Sequence, residues 1–238
     1  MKPNLLKSIS MAAVVSSALL ISACSSDDDD DMMVVEMPVP VDVSYSITVT
    51  NLTYSQPFSP ISIVLHDDGQ LWQIGESASV ALEKLAESGD NSELFTQSVV
   101  TASMAGAGIL MPGQSETVSI TIEDNTTSLL SLATMLVNTN DAFTGLNSIP
   151  LADLGVGDSW SKMVGAYDAG TEANSESAGT MPGPADGGAG FDTQRDDTDI
   201  VTMHPGVVSM HDGLSTSVLT QAHKFDQPTA KITITRTE

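Results

Sequence analysis

The sequence predicts an all-β fold, an antiparallel β-sandwich with one short helix, and three observations carry that prediction. Apolar and polar residues alternate along several short stretches, the joints between them are rich in Gly, Asp, Ser and Pro, and only one segment has a helical pattern with start and stop signals. With 238 residues, 41% hydrophobic and 4% aromatic, the chain can bury one sizeable core. A single folded domain over residues 44–238 is therefore expected.

Ahead of that domain, Lys2 and Lys7 precede an apolar run from Ile9 to Ile21 that is too short to span a bilayer as a helix. Residues 1–23 read as an export signal. Their end, Ile21-Ser22-Ala23-Cys24, resembles a bacterial lipobox, in which the cysteine is acylated and becomes the first residue after cleavage; the alternative is a plain secretory signal cleaved near Ala23. Cys24 is the only cysteine, so it stands where a lipid belongs and leaves no disulfide. Each buried methylene of an acyl chain contributes about 0.8 kcal/mol, so two or three chains would anchor the protein firmly. Ser25 replaces the aspartate that resembles an inner-membrane retention signal. The expected location is the outer membrane of a bacterial envelope, on its periplasmic or its outer side.

Residues 24–43 read as a tether. The five aspartates Asp27 to Asp31 repel one another, and Pro38 and Pro40 stiffen the end of the segment. The formal charge is −23; without Lys2 and Lys7, six of the eight basic residues remain against 31 acids, or −25. Such a field repels nucleic acid and anionic lipid, so nucleic acid is excluded as a partner and the membrane is met through the lipid anchor only. It favours cations, although solubility in a salt-tolerant cell explains most of it without any ligand.

Within the domain, Tyr45, Ile47 and Val49 alternate with Ser46, Thr48 and Thr50, the pattern of a half-buried strand. Ile61 to Leu65 predicts a second strand, ended by the turn Asp67-Asp68-Gly69. Ala78 to Glu87 predicts the helix, with Ser77 as its cap, Gly89 just beyond its end, and Val80, Ala81, Lys84 and Leu85 as its inward stripe. Glu116 to Glu123 alternates again through Val118, Ile120 and Ile122. Leu129 to Val137 suits a helix by length and a buried strand by position, and is read as a strand. Gly179 to Asp199 predicts a long surface loop with Phe191 as its anchor, and Lys231 to Thr235 a final strand.

Three segments in order resemble the spondin domain: Gly75-Glu76-Ser77-Ala78-Ser79 running to Leu85-Ala86-Glu87-Ser88-Gly89, then Thr139-Asn140-Asp141-Ala142-Phe143-Thr144-Gly145-Leu146-Asn147, then Ala166-Tyr167-Asp168-Ala169-Gly170-Thr171-Glu172-Ala173-Asn174. The C-terminal Gln227 to Arg236 is similar to that family's last strand, so the resemblance covers roughly residues 43–236. It implies an eight-stranded sandwich similar to calcium-dependent membrane-targeting modules, a divalent ion at one end, and a role in adhesion or recognition. Unlike the animal members, this domain has no cysteines and no following thrombospondin-type modules, so animal partners do not carry over.

By that resemblance Asp141, Asp168 and Glu172 are the side-chain ligands of a calcium ion, with Glu172 standing where the animal pattern has an aspartate. Calcium takes six to eight oxygens, and Gly170 lets the chain turn between Asp168 and Glu172 so that two carboxylates converge. The competing reading makes Asp141 and Asp168 turn residues that accept from backbone amides. Gly187-Gly188-Ala189-Gly190-Phe191-Asp192 matches the start of a calcium nonapeptide, but such repeats bind only when stacked, and one copy reads as a loop. Asp196, Asp197 and Asp199 read as a solvated acidic loop. His66, His204, His211 and His223 lack metal-ligand spacing, which leaves zinc poorly supported. Gly157-Asp158-Ser159-Trp160 resembles one lipase nucleophile block, yet no histidine follows an aspartate by three and no Gly-x-Ser-x-Gly exists. A non-catalytic, envelope-anchored calcium module with a protein or glycan ligand is therefore expected. The alternatives are a metal-dependent hydrolase using the scattered histidines and a structural envelope protein without specific ligand.

Overall fold

Alternation with period two buries one face of a strand and leaves the other wet, and the first strand shows which side is the core. The computed structural model describes residues 41–123 and 129–238; the residues read above as export signal and tether, up to residue 40 and including Cys24, lie outside them. The elements are β1 (Asp42–Asn51), β2 (Ser62–His66), α1 (Val80–Ser88), α2 (Ser92–Phe95), β3 (Val100–Ala105), β4 (Ser115–Glu123), β5 (Leu129–Met135), β6 (Ala142–Pro150), β7 (Ser159–Val164), β8 (Ala166–Asp168), β9 (Thr202–Met203) and β10 (Ala230–Arg236).

These strands pair antiparallel throughout, in two sheets ordered β4-β1-β10-β7 and β3-β2-β5-β6-β8-β9. Val43, Tyr45, Ile47 and Val49 of β1, Val118 and Ile120 of β4 and Ile232 and Ile234 of β10 meet Ile63, Leu65, Leu130, Leu132 and Leu146 of the second sheet in one core. The opposite face of the first sheet is lined by hydroxyls, of which Thr48 and Thr117 pair at 2.8 Å, as do Thr50 and Ser115. The second sheet is buried on both faces. Its far side packs Val64, Ala133 and Phe143 under Leu82, Leu85 and Ala86 of α1, and Trp72 meets Phe143 edge-on at 5.0 Å.

The all-β sandwich is thus present, with three differences from the sequence reading. Ten strands are described rather than eight, because β8 and β9 are short pairings at the edge of the second sheet. The helix starts later than expected: Ser79, not Ser77, is its cap, accepting from the Leu82 amide at 3.2 Å, whereas the Ser77 hydroxyl donates to the Asp199 carbonyl. Its buried apolar face is Ala81, Leu82, Leu85 and Ala86, while Val80 is exposed, because the face turned to the second sheet is centred between 82 and 85. Gly89 closes the helix as expected, and α2 adds a further turn.

β1 also sets the polarity of the domain. Asp42 pairs with Glu123 at one end, and at the other Asn51 donates to the Gln56 carbonyl, which ties this end to Asn138 through the Gln56 side chain.

Candidate functional site

The segment 138–141 follows β5 and turns directly into β6, and β6 pairs Ala142 with Asp168, the last residue of β8. That register brings Asp141 and Asp168 to the same corner of the second sheet, at the Asn51 end of β1. Beyond Asp168 the chain must turn back sharply. Gly170 does so at φ 70°, with the backbone of Ile200 so close that an added Cβ would lie 2.4 Å from its carbonyl oxygen.

Asp141 is fully buried. Its Oδ2 accepts from the Thr171 amide at 2.8 Å, the Glu172 amide at 3.2 Å and the Thr171 hydroxyl at 3.3 Å. Its Oδ1 is buried without a partner among the described residues. Asp168 accepts from the Gly170 amide at 2.8 Å and from Asn174 Nδ2 at 2.6 Å. Glu172 accepts from Asn140 Nδ2 at 3.1 Å. The turn reading of Asp141 and Asp168 and the metal reading therefore meet in one arrangement: three of the four Asp oxygens accept from backbone or side-chain amides, and the fourth has no partner among the described residues.

Electrostatics act in the same direction. Burial first, and the neighbouring Asp168 charge second, push the Asp141 carboxyl up to about 7. Burial likewise raises Glu172 to about 7, with Glu87 adding repulsion. The basic group beside them, His204, lies 4.0 Å from Asp168 Oδ2, and burial pushes it down to about 4, so it is neutral at pH 7. Its ring is held by the Gly206 amide on Nδ1 and by Asn174 Oδ1 on Nε2, which places the proton on Nε2.

All three sequence-predicted ligands therefore share one corner. Sequence reasoning missed Glu87, buried and accepting from the Asp192 amide at 2.9 Å, and the polar frame of Asn140, Thr171 and Asn174. All four lie inside the three spondin-like segments, which was the available signal. His204 carried none. Elsewhere, Asp158 accepts from the Gly155 amide at 3.0 Å and Ser159 shares a hydrogen bond with Thr235 at 2.8 Å, both as parts of a turn and strand. His66 is buried between Ser131 and the Asp68 carbonyl.

The donor chemistry suits a hard cation: oxygen donors, two adjacent carboxylates and one buried oxygen with nothing to bind. Among the described residues no three acidic, cysteine or histidine side chains converge on one point. Asp141 and Asp168 would supply the protein charge, with carbonyl and water oxygens completing the shell.

The comparisons agree with this architecture. The Spondin_N family model matches residues 50–182, more than half of the chain. The chain belongs to the spondin N-terminal domain family. The matched stretch contains Asp141, Asp168 and Glu172 and ends before β10. No curated protein matches the sequence.

Proposed function

We propose that this chain is a non-catalytic calcium-binding module for adhesion or recognition, displayed on a bacterial envelope, with Asp141 and Asp168 as the side-chain ligands of the ion, Glu172 beside them at the same corner, and a protein or glycan as ligand. The observation that carries this reading is the buried Oδ1 of Asp141, without a partner among the described residues, beside the Asp168 carboxylate, with His204 neutral. Two buried like charges are costly without a counter-charge, and a bound divalent ion supplies it. The ion's role here is to neutralise and lock the turn 168–172 against 139–141. Anchoring through Cys24 belongs to the same reading; Cys24 lies outside the described residues.

Extracellular calcium modules have dissociation constants of about 0.1 to 1 mM, so at about 5 mM calcium and about 0.5 mM affinity the gain is about 1.4 kcal/mol. Thermal melts of wild type and Asp168→Asn, each in calcium and in chelator, test the reading. The calcium-dependent rise is expected in the wild type and largely lost in the variant. Equal shifts in both, or none in the wild type, overturn it.

A further inference from the structure

A second site lies on the side of the sandwich where β7 passes the end of β6. β6 pairs with β8 only over Ala142 to Thr144, and β7 is the last strand of its sheet, so the space between the sheets opens here. The opening is a cavity of about 260 Å³ lined by Ile149, Pro150, Asp153, Leu154 and Trp160. Ile149, Leu154 and Trp160 are half-buried against the core, so they form fixed walls.

Asp153 is exposed, and its carboxylate has no hydrogen bond or ion pair among the described residues. Arg236, which is not among the lining residues, is engaged by backbone carbonyls, donating from Nη1 to Leu154 and from Nε to Glu238, both at 3.1 Å. An indole, three aliphatic side chains and one unpaired carboxylate are the components of a site for an organic cation. The alkyl stem packs on the apolar walls while the charged head meets the indole and the carboxylate. A chain of formal charge −23 also concentrates cations at its surface.

We propose that this cavity takes a lysine or arginine side chain from a basic segment of a partner protein. The proposal names the partner chemistry for the recognition reading above, but uses residues remote from the acidic corner, so either can fail alone.

Trp72 and Trp160 are the only two tryptophans, and Trp72 is buried on the far side of the second sheet, so two indole N–H signals report separately by NMR. Titrating the protein with an octalysine peptide, in chelator and again in calcium, is expected to shift the Trp160 signal saturably and leave that of Trp72 in place. Asp153→Asn should weaken binding several-fold, whereas Glu76→Gln, which removes an exposed acid from the helix side, should not. Absence of a Trp160 shift, or equal weakening by both substitutions, overturns the proposal. So does a Trp160 shift with maltohexaose and none with octalysine, which would make the cavity a glycan site.

Discussion

Thr171 donates twice to the same oxygen of Asp141, from its amide at 2.8 Å and its hydroxyl at 3.3 Å, while the other oxygen of that carboxylate is buried and unpaired among the described residues. Neutral donors thus orient the carboxylate without cancelling its charge. Only a proton or a cation can do that.

The metal-free protein should therefore lose stability as pH rises. Asp141 and Glu172 are raised to about 7 from ordinary values of 3.8 and 4.5, so their contribution is full below those ordinary values and is lost as pH climbs through about 7. His204, lowered from 6.5 to about 4, has the opposite sign, but its contribution is constant above its unfolded value of 6.5. Between about pH 6.5 and 8 the acids alone decide the slope. Melting temperatures in chelator are expected to fall across that interval, less so in Asp141→Asn, and calcium should flatten the fall. A rise across the interval would contradict the burial of these acids.

Ser79 caps α1, so Ser79→Ala should cost about 1 kcal/mol. Ser77→Ala should cost less, since its hydroxyl bonds only the Asp199 loop. Urea denaturation of the two variants, read as midpoint at constant slope, separates them.

Arg195 bonds the buried Glu83 carboxylate at 2.6 Å and the Ala78 carbonyl at 2.8 Å, and also pairs with Asp199, fastening the 179–199 loop to the start of the helix. Arg195→Met leaves the buried Glu83 carboxylate without its donor and should cost about 2 kcal/mol. Adding Glu83→Gln removes that charge and should recover part of the loss, a coupling that a double-mutant cycle measures.

If Cys24 is acylated, Cys24→Ser should move the protein from membranes to the soluble fraction and abolish labelling by a fatty-acid probe. Unchanged retention together with an unlabelled wild type would refute the anchor.

Where one face of a strand is wet, the sequence is legible: the Tyr45 to Val49 alternation and that of Val118 and Ile120 describe β1 and β4 accurately. β5 and the first half of β6 are buried on both faces, so their residues do not alternate, which is why Leu129 to Val137 suits both helix and strand. β8 and β9 depend on pairing between distant segments, Asp168 with Thr202, and three residues carry no period of their own. The acidic corner is legible as motifs but not as a network. Its composition of Asp, Asn, Thr and Glu is that of any turn, and only the register of Ala142 against Asp168 joins the pieces. Phe191 reads from the sequence as the loop anchor, and its ring lies under the Lys84 ammonium of α1 at 5.2 Å.

The direction of β1 has a consequence for what the domain can reach. Its ten residues, Asp42 to Asn51, span about 33 Å when extended. The chain enters at Asp42, and the Asn51–Gln56–Asn138 linkage fixes the acidic corner to the opposite pole. Whatever holds the chain upstream of residue 42 attaches to the heel of the domain, and the corner is its toe. A pull between Asp42 and that corner would run along the strands, so the load would pass lengthwise through β1 and its neighbours β4 and β10, shearing their hydrogen bonds together instead of unzipping them one by one.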